Sequence, residues 1–165
     1  MSAVPDGLAS APVRRPATNA DRAAVRALVA QVLAEYGLDS ARGARDADLD
    51  DLEAHYWARG GRFDVLCDGA GRVVGSVGLL PLDATRAELR KMYLVPALRG
   101  QGHGRALLSH ALAEARRLGF GRVELETAGA LVEAIALYRR FGFEPTAQAP
   151  GGSTCDRSFA LDLQP

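Results

Sequence analysis

The chain has 165 residues, 48% of them hydrophobic, and its 20 acidic and 20 basic side chains give a formal net charge of zero. This length favours one domain that can bury a core unaided. With no excess charge, long-range attraction to nucleic acid or to a membrane surface is not expected. The composition therefore favours small-molecule partners.

The two ends of the chain and its cysteines place further limits. No apolar run approaches the roughly 20 residues of a membrane helix. Residues 1–12 lack the basic start and apolar block of a signal peptide, so we expect a cytoplasmic protein. They are small and proline-bearing, which predicts a disordered tail before a single domain over 13–165. Cys67 and Cys155 form no disulfide framework and predict two small apolar side chains near the core.

In the first half of the chain, hydrophobic spacing predicts a short strand from Val13 and a helix ended by Gly37. The acidic segment 39–58 fits either a mobile lid or a solvated connector, with a short helix at 52–58. Strands over 63–67 and 73–80 follow, joined by a hairpin turn, and Gly75 and Gly78 mark close backbone approach in the second strand.

The second half is expected to alternate strands and helices. The predicted elements are a central strand 87–94, a helix to Leu118, a strand 122–127, a helix 130–141, a strand from Phe143 and a last strand 157–163. Helices and strands in this order predict an α/β fold with a mixed, mostly antiparallel central sheet flanked by helices.

The chemistry of the chain concentrates where the central strand stops at Pro96 and a glycine-rich loop leads into a helix. Gly100, Gly102 and Gly104 let backbone amides approach a ligand, and a helix start leaves amides unpaired. With Arg99 and Arg105 alongside, this loop predicts a phosphate or pyrophosphate site. A P-loop is excluded because Arg105 and Ala106 stand where Lys and Ser or Thr belong, and a Rossmann loop lacks its third glycine.

Two motifs instead resemble the GNAT superfamily of acyl-CoA-dependent N-acyltransferases. One is Arg-x-x-Gly-x-Gly at 99–104, and the other is the Ala-x-x-Leu-Tyr-x-x-x-Gly-Phe signature at 134–143. The resemblance spans about 13–163 and implies acetyl-CoA as acyl donor, with the amides of Met92 and Leu94 binding its pantetheine arm. It implies that the cofactor-binding residues are Met92, Tyr93, Leu94, Arg99, Gly100, Gln101, Gly102, His103, Gly104 and Arg105. Leu131 stands where many relatives have Asn, so a contact made by that Asn is not carried over.

Acyl transfer to an amine requires a base for the ammonium proton, donors for the oxyanion and an acid for the thiolate. Glu88 is the candidate base: it opens the central strand, where strand alternation places it on one face with Arg90, Met92 and Leu94. The resemblance also places a catalytic glutamate there in some members. A surface carboxylate paired with Arg86 or Arg90 is the alternative.

Tyr138 is the candidate acid, because the matching family tyrosine points toward the coenzyme A sulfur. Core packing is the alternative explanation for a tyrosine on an apolar helix stripe. Glu126 and Thr127, at the end of the neighbouring strand, are expected either to line the acceptor pocket or to be a solvated strand end. The histidines, His55, His103 and His110, lack the spacing of a metal site, so no metal is expected.

The sequence thus predicts an N-acetyltransferase that moves an acetyl group directly to a small primary amine, such as an amino acid, a polyamine or an amine-bearing toxin. Direct transfer is favoured because no Cys-His pair suggests a covalent intermediate. A non-catalytic acyl-CoA-binding regulatory domain and a protein N-acetyltransferase are the alternatives. The resemblance also leaves a homodimer open.

Overall fold

A seven-stranded sheet in the order β1-β2-β3-β4-β5-β7-β6 forms the centre of the protein. We analysed a computed structural model, which describes residues 10–38, 44–147 and 155–164. The strands are β1 (Val13–Pro16), β2 (Arg62–Cys67), β3 (Val73–Pro81), β4 (Arg86–Leu94), β5 (Arg122–Thr127), β6 (Glu144–Pro145) and β7 (Arg157–Asp162). Only the β4–β5 pair is parallel among the strand pairs described. The predicted mixed, mostly antiparallel sheet is confirmed.

Within the described ranges, four α-helices accompany the sheet: α1 (Arg22–Glu35), α2 (Leu52–His55), α3 (His103–Arg117) and α4 (Val132–Arg140). Short 3-10 turns cover Asn19–Asp21, Ala44–Asp50, Trp57–Arg59 and Pro96–Leu98. Gly37, at φ 68°, follows the end of α1 as predicted. No helix within the described ranges is both long and apolar enough to span a bilayer.

Two apolar cores lie on opposite faces of the sheet. On one face, α3 and α4 pack on β3, β4, β5 and β7 around Leu108, Val123 and Phe159. On the other face, α1 and α2 pack on β2 and β3, with Tyr56 and Phe63 fully buried. Because strand side chains alternate, β3 and β4 contribute to both cores.

The segment that leads from α1 to β2 is part of the second core over its described residues. Leu49, Leu52 and Tyr56 are at most 1% exposed. The expectation of a solvated connector is therefore wrong for 49–56, because Leu49, Leu52 and Tyr56 recur at three- and four-residue spacing and the sheet covers them. Residues 39–43 of the expected lid lie outside the described residues, as do 1–9 of the expected tail.

Gly75 and Gly78 confirm the predicted close approach on β3. A Cβ at Gly78 would stand 2.9 Å from ring atoms of both Phe63 and Tyr56, and one at Gly75 would stand 3.1 Å from the Cβ of Leu66. Gly78 thus lets the aromatic side chains of the second core lie directly on the sheet, and Gly75 makes room for Leu66 and Leu94.

The last strands differ from the prediction in length. The strand expected from Phe143 is only the two residues of β6, since Phe143 itself is buried in the first core and Pro145 has no N–H to continue a ladder. The predicted final strand ends at Asp162, one residue early.

Candidate active site

The central strands β4 and β5 separate from each other at Glu88. Their parallel ladder runs through Arg86↔Arg122 and Ala87↔Val123 and ends at Glu88↔Glu124. β5 goes on pairing with β7 as far as Thr127. From Leu89 onward no described strand pairs with the side of β4 that faces away from β3. We call this side the open edge; a ligand can pair there with main-chain groups.

The amides of Met92 and Leu94 lie on this open edge. The N–H of Val95 donates to the Val74 carbonyl on β3 at 3.0 Å. Since successive amides of a strand point in opposite directions, those of Met92 and Leu94 point away from β3. These are the two amides that the sequence analysis assigned to the pantetheine arm.

A bulge interrupts β4 beside the open edge. Gly78 pairs with Arg90 and Ser76 pairs with Tyr93, so Lys91 and Met92 together oppose the single residue Val77. Lys91 takes φ 52°, in the left-handed region.

The bulge changes which side chains share a face, and the expected alternation is wrong. Met92 and Leu94 pack on the α3/α4 core together with Leu89, whereas Tyr93 packs on the α1/α2 core. Glu88 lies opposite Leu80, which belongs to the α1/α2 core. Glu88 is therefore not on one face with Met92 and Leu94, because the extra residue reverses the alternation between them.

Glu88 and Tyr138 line the same cavity. Its volume is about 90 Å³, and it lies where β4 and β5 diverge. The side chain of Glu88 is 22% exposed, and its carboxylate lies 4.0 Å from Nε of Arg90. Further residues of the lining come from α1, β4, β5 and α4: Leu33, Arg90, Lys91, Met92, Glu126, Thr127, Leu131 and Ala134.

Tyr138 lies near the end of α4 and is 5% exposed. Its ring packs edge-on against Phe143 at a centroid distance of 5.8 Å. Burial raises the pKa of its phenol well above the ordinary value, and Cys155 adds to this rise. The phenol therefore keeps its proton throughout the neutral range. Tyr138 therefore both packs in the first core and lines the cavity, and its role as the acid stays a prediction.

The glycine loop turns the chain into α3. Gly100 and Gly102 take φ 73° and 89°, and Gly102 is the N-cap of α3, which begins at His103. Gln101 donates from Nε2 to the carbonyl of Ala97 at 2.8 Å, within the turn before the loop. Gly102 and Arg105 are exposed. The loop thus presents a helix start with its partial positive charge to solvent.

Arg99 makes contacts that the sequence did not predict. Nε and Nη2 donate to the carbonyl of Leu94 at 3.1 and 2.9 Å, and Nη2 also lies 2.9 Å from the Glu35 carboxylate at the end of α1. The guanidinium stands 5.9 Å from the centre of the Tyr36 ring. The Tyr36 hydroxyl donates to Glu133 on α4 at 2.5 Å. Arg99 therefore joins the end of β4 to α1.

A second cavity of about 280 Å³ lies beyond Glu88, between β4, β5 and β7. Glu88 and Glu126 line both cavities, and Glu124 and Arg86 line this one. Glu124 pairs with Arg86 at 3.2 Å and with Arg122 at 3.1 Å. The sequence pointed to Arg86 only as a possible partner of Glu88 and did not point to Glu124, although the parallel register of β4 and β5 places both beside the site.

The histidines are dispersed. His110 lies 3.0 Å from a carboxylate oxygen of Asp64, on β2, while His103 begins α3. In the part of the chain that the structure describes, no three His, Cys, Asp or Glu side chains are placed to share a metal ion.

Comparisons with known proteins agree with this architecture. The acetyltransferase (GNAT) family matches residues 28–143. The chain is 41% identical to the uncharacterized N-acetyltransferase YjgM of Escherichia coli over 85% of this chain and 86% of that protein. It is 32% identical to human N-acetyltransferase 8B, over 62% of this chain and 47% of that one.

Solved structures share the fold at low identity. A GNAT-family acetyltransferase of Staphylococcus aureus superposes with a TM-score of 0.86 at 20% identity, over 93% of this chain and all of that one. YncA, a putative acetyltransferase of Salmonella typhimurium solved with its cofactor acetyl-CoA, gives a TM-score of 0.73 at 24% identity, over 94% and 95% of the two chains.

The diverging central strands, the glycine loop at the start of α3 and the family match define the class: the chain belongs to the GNAT family of acetyltransferases. It is an acyl-CoA-dependent N-acetyltransferase.

Proposed function

We propose that the protein transfers an acetyl group from acetyl-CoA directly to the primary amine of a small molecule, such as an amino acid, a polyamine or an amine-bearing toxin. One observation carries the proposal: Glu88 and Tyr138 line one cavity at the point where β4 leaves β5. A base and an acid on the two sides of one small space are what acyl transfer to an ammonium requires.

Acetyl-CoA fits the groups that the site presents. The open edge of β4 offers the amides of Met92 and Leu94 to a pantetheine arm, and the exposed start of α3 offers amides and Arg105 to phosphates. The structural relative YncA was solved with acetyl-CoA. The remaining residues of the proposed cofactor contact are Tyr93, Arg99, Gly100, Gln101, Gly102, His103 and Gly104, and Arg99 also fixes the end of β4.

The proposed reaction needs only groups of this chain beside its two substrates. Glu88 takes a proton from the acceptor ammonium, and the freed nitrogen lone pair attacks the thioester carbonyl carbon. The backbone amides of the open edge hold the tetrahedral oxyanion. As the C–S bond breaks, the departing thiolate receives a proton from Tyr138, whose raised pKa keeps it protonated until that step. The acceptor nitrogen loses its second proton to the Tyr138 phenolate as the amide forms, and Glu88 releases its proton to solvent.

The size of the space favours a small acceptor. The cavity that Glu88 shares with Tyr138 measures about 90 Å³, and the adjoining cavity about 280 Å³. Glu88, Glu124 and Glu126 line the larger one together with Arg86. A free amine of low molecular weight fits this space.

The test is calorimetric titration with acetyl-CoA followed by a thiol-release screen over free amino acids, polyamines and amine-bearing antibiotics. We expect binding and turnover with at least one small amine. Binding without turnover on any small amine would contradict the small-molecule acceptor, and a screen of peptide amino termini would then identify a protein acceptor.

Glu88→Gln tests the base. Its turnover should fall by about 100-fold or more, since general-base catalysis contributes roughly 10²–10⁴, while its affinity for acetyl-CoA stays unchanged. Glu144→Gln is the matched control, because Glu144 on β6 is an exposed glutamate that lines neither of the two cavities. Full activity of Glu88→Gln at every pH would remove Glu88 as the base.

A further inference from the structure

Lys91 has a backbone conformation that its side chain disfavours. It is the one non-glycine residue of the described ranges with a positive φ, at 52°. A Cβ in the left-handed region is strained, and such a conformation persists only when surrounding contacts enforce it. The contacts that enforce it here come from two sides of the β4 bulge.

The first contact comes from β3. The Oγ of Ser76 donates to the carbonyl of Lys91 at 2.6 Å, and Ser76 is fully buried. A bulge leaves its extra residue outside the regular ladder, so this carbonyl needs a donor other than a strand amide. Ser76 supplies that donor from directly beneath the bulge.

The second contact comes from the turn at Ala44–Asp50, which precedes α2. The ammonium of Lys91 lies 2.9 Å from a carboxylate oxygen of Asp46 and 3.5 Å from one of Asp48. The Lys91 side chain is 9% exposed and that of Asp48 3%. The hydroxyl of Tyr56 donates to Asp48 and fixes it from the other side. The lysine side chain is thus tethered in a buried, charge-paired position.

The bulge sets the direction of the backbone that follows it. Met92 is the next residue after Lys91. Because the bulge reverses the alternation, the side chains of Met92 and Leu94 lie on the α3/α4 face, and their amides point to the open edge. We propose that Ser76 and Lys91 are positioning residues for acyl transfer, which hold the bulge so that the Met92 and Leu94 amides are aimed at the thioester carbonyl. This inference rests on the proposed function.

Lys91→Ala and Lys91→Gly form a matched pair for the test. Both remove the ammonium from Asp46 and Asp48, and they differ only in the Cβ that makes φ 52° strained. We expect kcat to fall by about tenfold in Lys91→Ala, less than the roughly 10²–10³ seen when an oxyanion donor is lost outright, because the amides are misaligned rather than removed. Lys91→Gly should recover most of that loss, because glycine adopts this φ freely. An equal loss in both variants would overturn the role of Lys91.

Ser76→Ala tests the other contact with a binding readout. Acetyl-CoA and CoA differ only in the acetyl group, so the ratio of their dissociation constants reports the contact with the thioester carbonyl. We expect Ser76→Ala to lower kcat and to reduce the preference for acetyl-CoA while the affinity for CoA stays constant. A purely structural role of Ser76 would shift both affinities alike, which would overturn the proposal.

A spectroscopic measurement gives the same distinction without turnover. The infrared carbonyl stretch of ¹³C-labelled acetyl-CoA should move to lower frequency on binding to the unmodified protein, and move back in Ser76→Ala and Lys91→Ala. If the unmodified protein binds no acetyl-CoA, the proposed function fails. If it binds and turns over, and the variants keep both the shift and kcat, only the positioning role fails.

Discussion

The guanidinium of Arg99 donates twice to the carbonyl of Leu94, and in the same position it pairs with Glu35 at 2.9 Å. Leu94 is the last residue of β4, and its carbonyl lies on the open edge beside its own amide. Arg99 therefore hydrogen-bonds the last carbonyl of that edge, and its positive charge is paired with the Glu35 carboxylate. The arginine that begins the glycine loop is a brace between β4 and α1.

Arg99→Lys should lower the free energy of unfolding by about 1 kcal/mol, because a lysine cannot donate in the planar, two-pronged geometry that the Leu94 carbonyl and Glu35 share. Urea unfolding at neutral pH measures this. Glu35→Gln is the control, since it keeps the bonds to Leu94 and removes only the partly exposed ion pair, so it should cost less than Arg99→Lys. Equal stability of Arg99→Lys and the unmodified protein would contradict the brace.

Gly102→Ala should weaken acetyl-CoA binding by about tenfold and destabilise the fold by about 1 kcal/mol, because the N-cap of α3 takes φ 89° and a Cβ is strained there. A Cβ at Gly102 meets no atom within 4 Å, so the cost is one of backbone conformation. Calorimetric titration and thermal unfolding measure the two effects.

Gly104→Ala is the control for stability in this loop. Gly104 lies in the first turn of α3, and a Cβ there would be 3.5 Å from Leu137, an ordinary contact. Alanine favours a helix over glycine, so Gly104→Ala should be at least as stable as the unmodified protein. Unchanged acetyl-CoA affinity in Gly102→Ala would remove the phosphate role from the loop.

The raised pKa of Tyr138 predicts how stability changes at alkaline pH. The unfolded chain releases the phenol proton near the ordinary value of 10.0, while the folded protein retains it. The folded state then holds more protons, so the free energy of unfolding is at its full value below about pH 10 and falls as pH rises above it, by about 1.4 kcal/mol per unit for one group. Tyr138→Phe should make this fall less steep in urea unfolding between pH 9 and 12. Identical slopes for the two proteins would show that Tyr138 ionises alike in both states.

The sequence predicts well those parts of the site that depend on local chain chemistry. The glycines before α3 set a turn and a helix start by themselves, and the structure has both where the sequence places them. The close approach at Gly78 follows from the absence of a Cβ on a strand, and Phe63 and Tyr56 fill that space. Each of these predictions depends on residues within one element or one turn.

The bulge could not be predicted, because its cause lies far along the chain. No glycine stands on the bulged part of β4, and Lys91 by itself is typical of a solvated strand residue. Its conformation depends on Ser76, 15 residues earlier, and on Asp46, 45 residues earlier. Regular alternation therefore gave the wrong face for Met92 and Leu94. In the sequence, Ser76 is a hydroxyl residue between Gly75 and Gly78, and this pattern indicates no hydrogen-bond partner.

Arg99 shows the same difficulty in a charged residue. Its place before the glycines favours a phosphate contact, yet its position in space is decided by Glu35 at the end of α1, 64 residues away. The residue type limits the groups to which a side chain can bind, here phosphates and carboxylates. The long-range packing of the helices decides which of these groups lies within reach.

The open edge of β4 has a consequence for how this protein tolerates substitution. The groups that the edge presents are main-chain amides, and an amide is the same whichever side chain its residue carries. Replacing the side chains of Met92 and Leu94 with others of similar volume should thus leave the open edge intact. A single substitution of Ser76, the buried serine on β3, should displace it. A scan of substitutions through this protein should therefore find sensitive positions of the acyl-transfer centre also in segments that do not touch the acyl group.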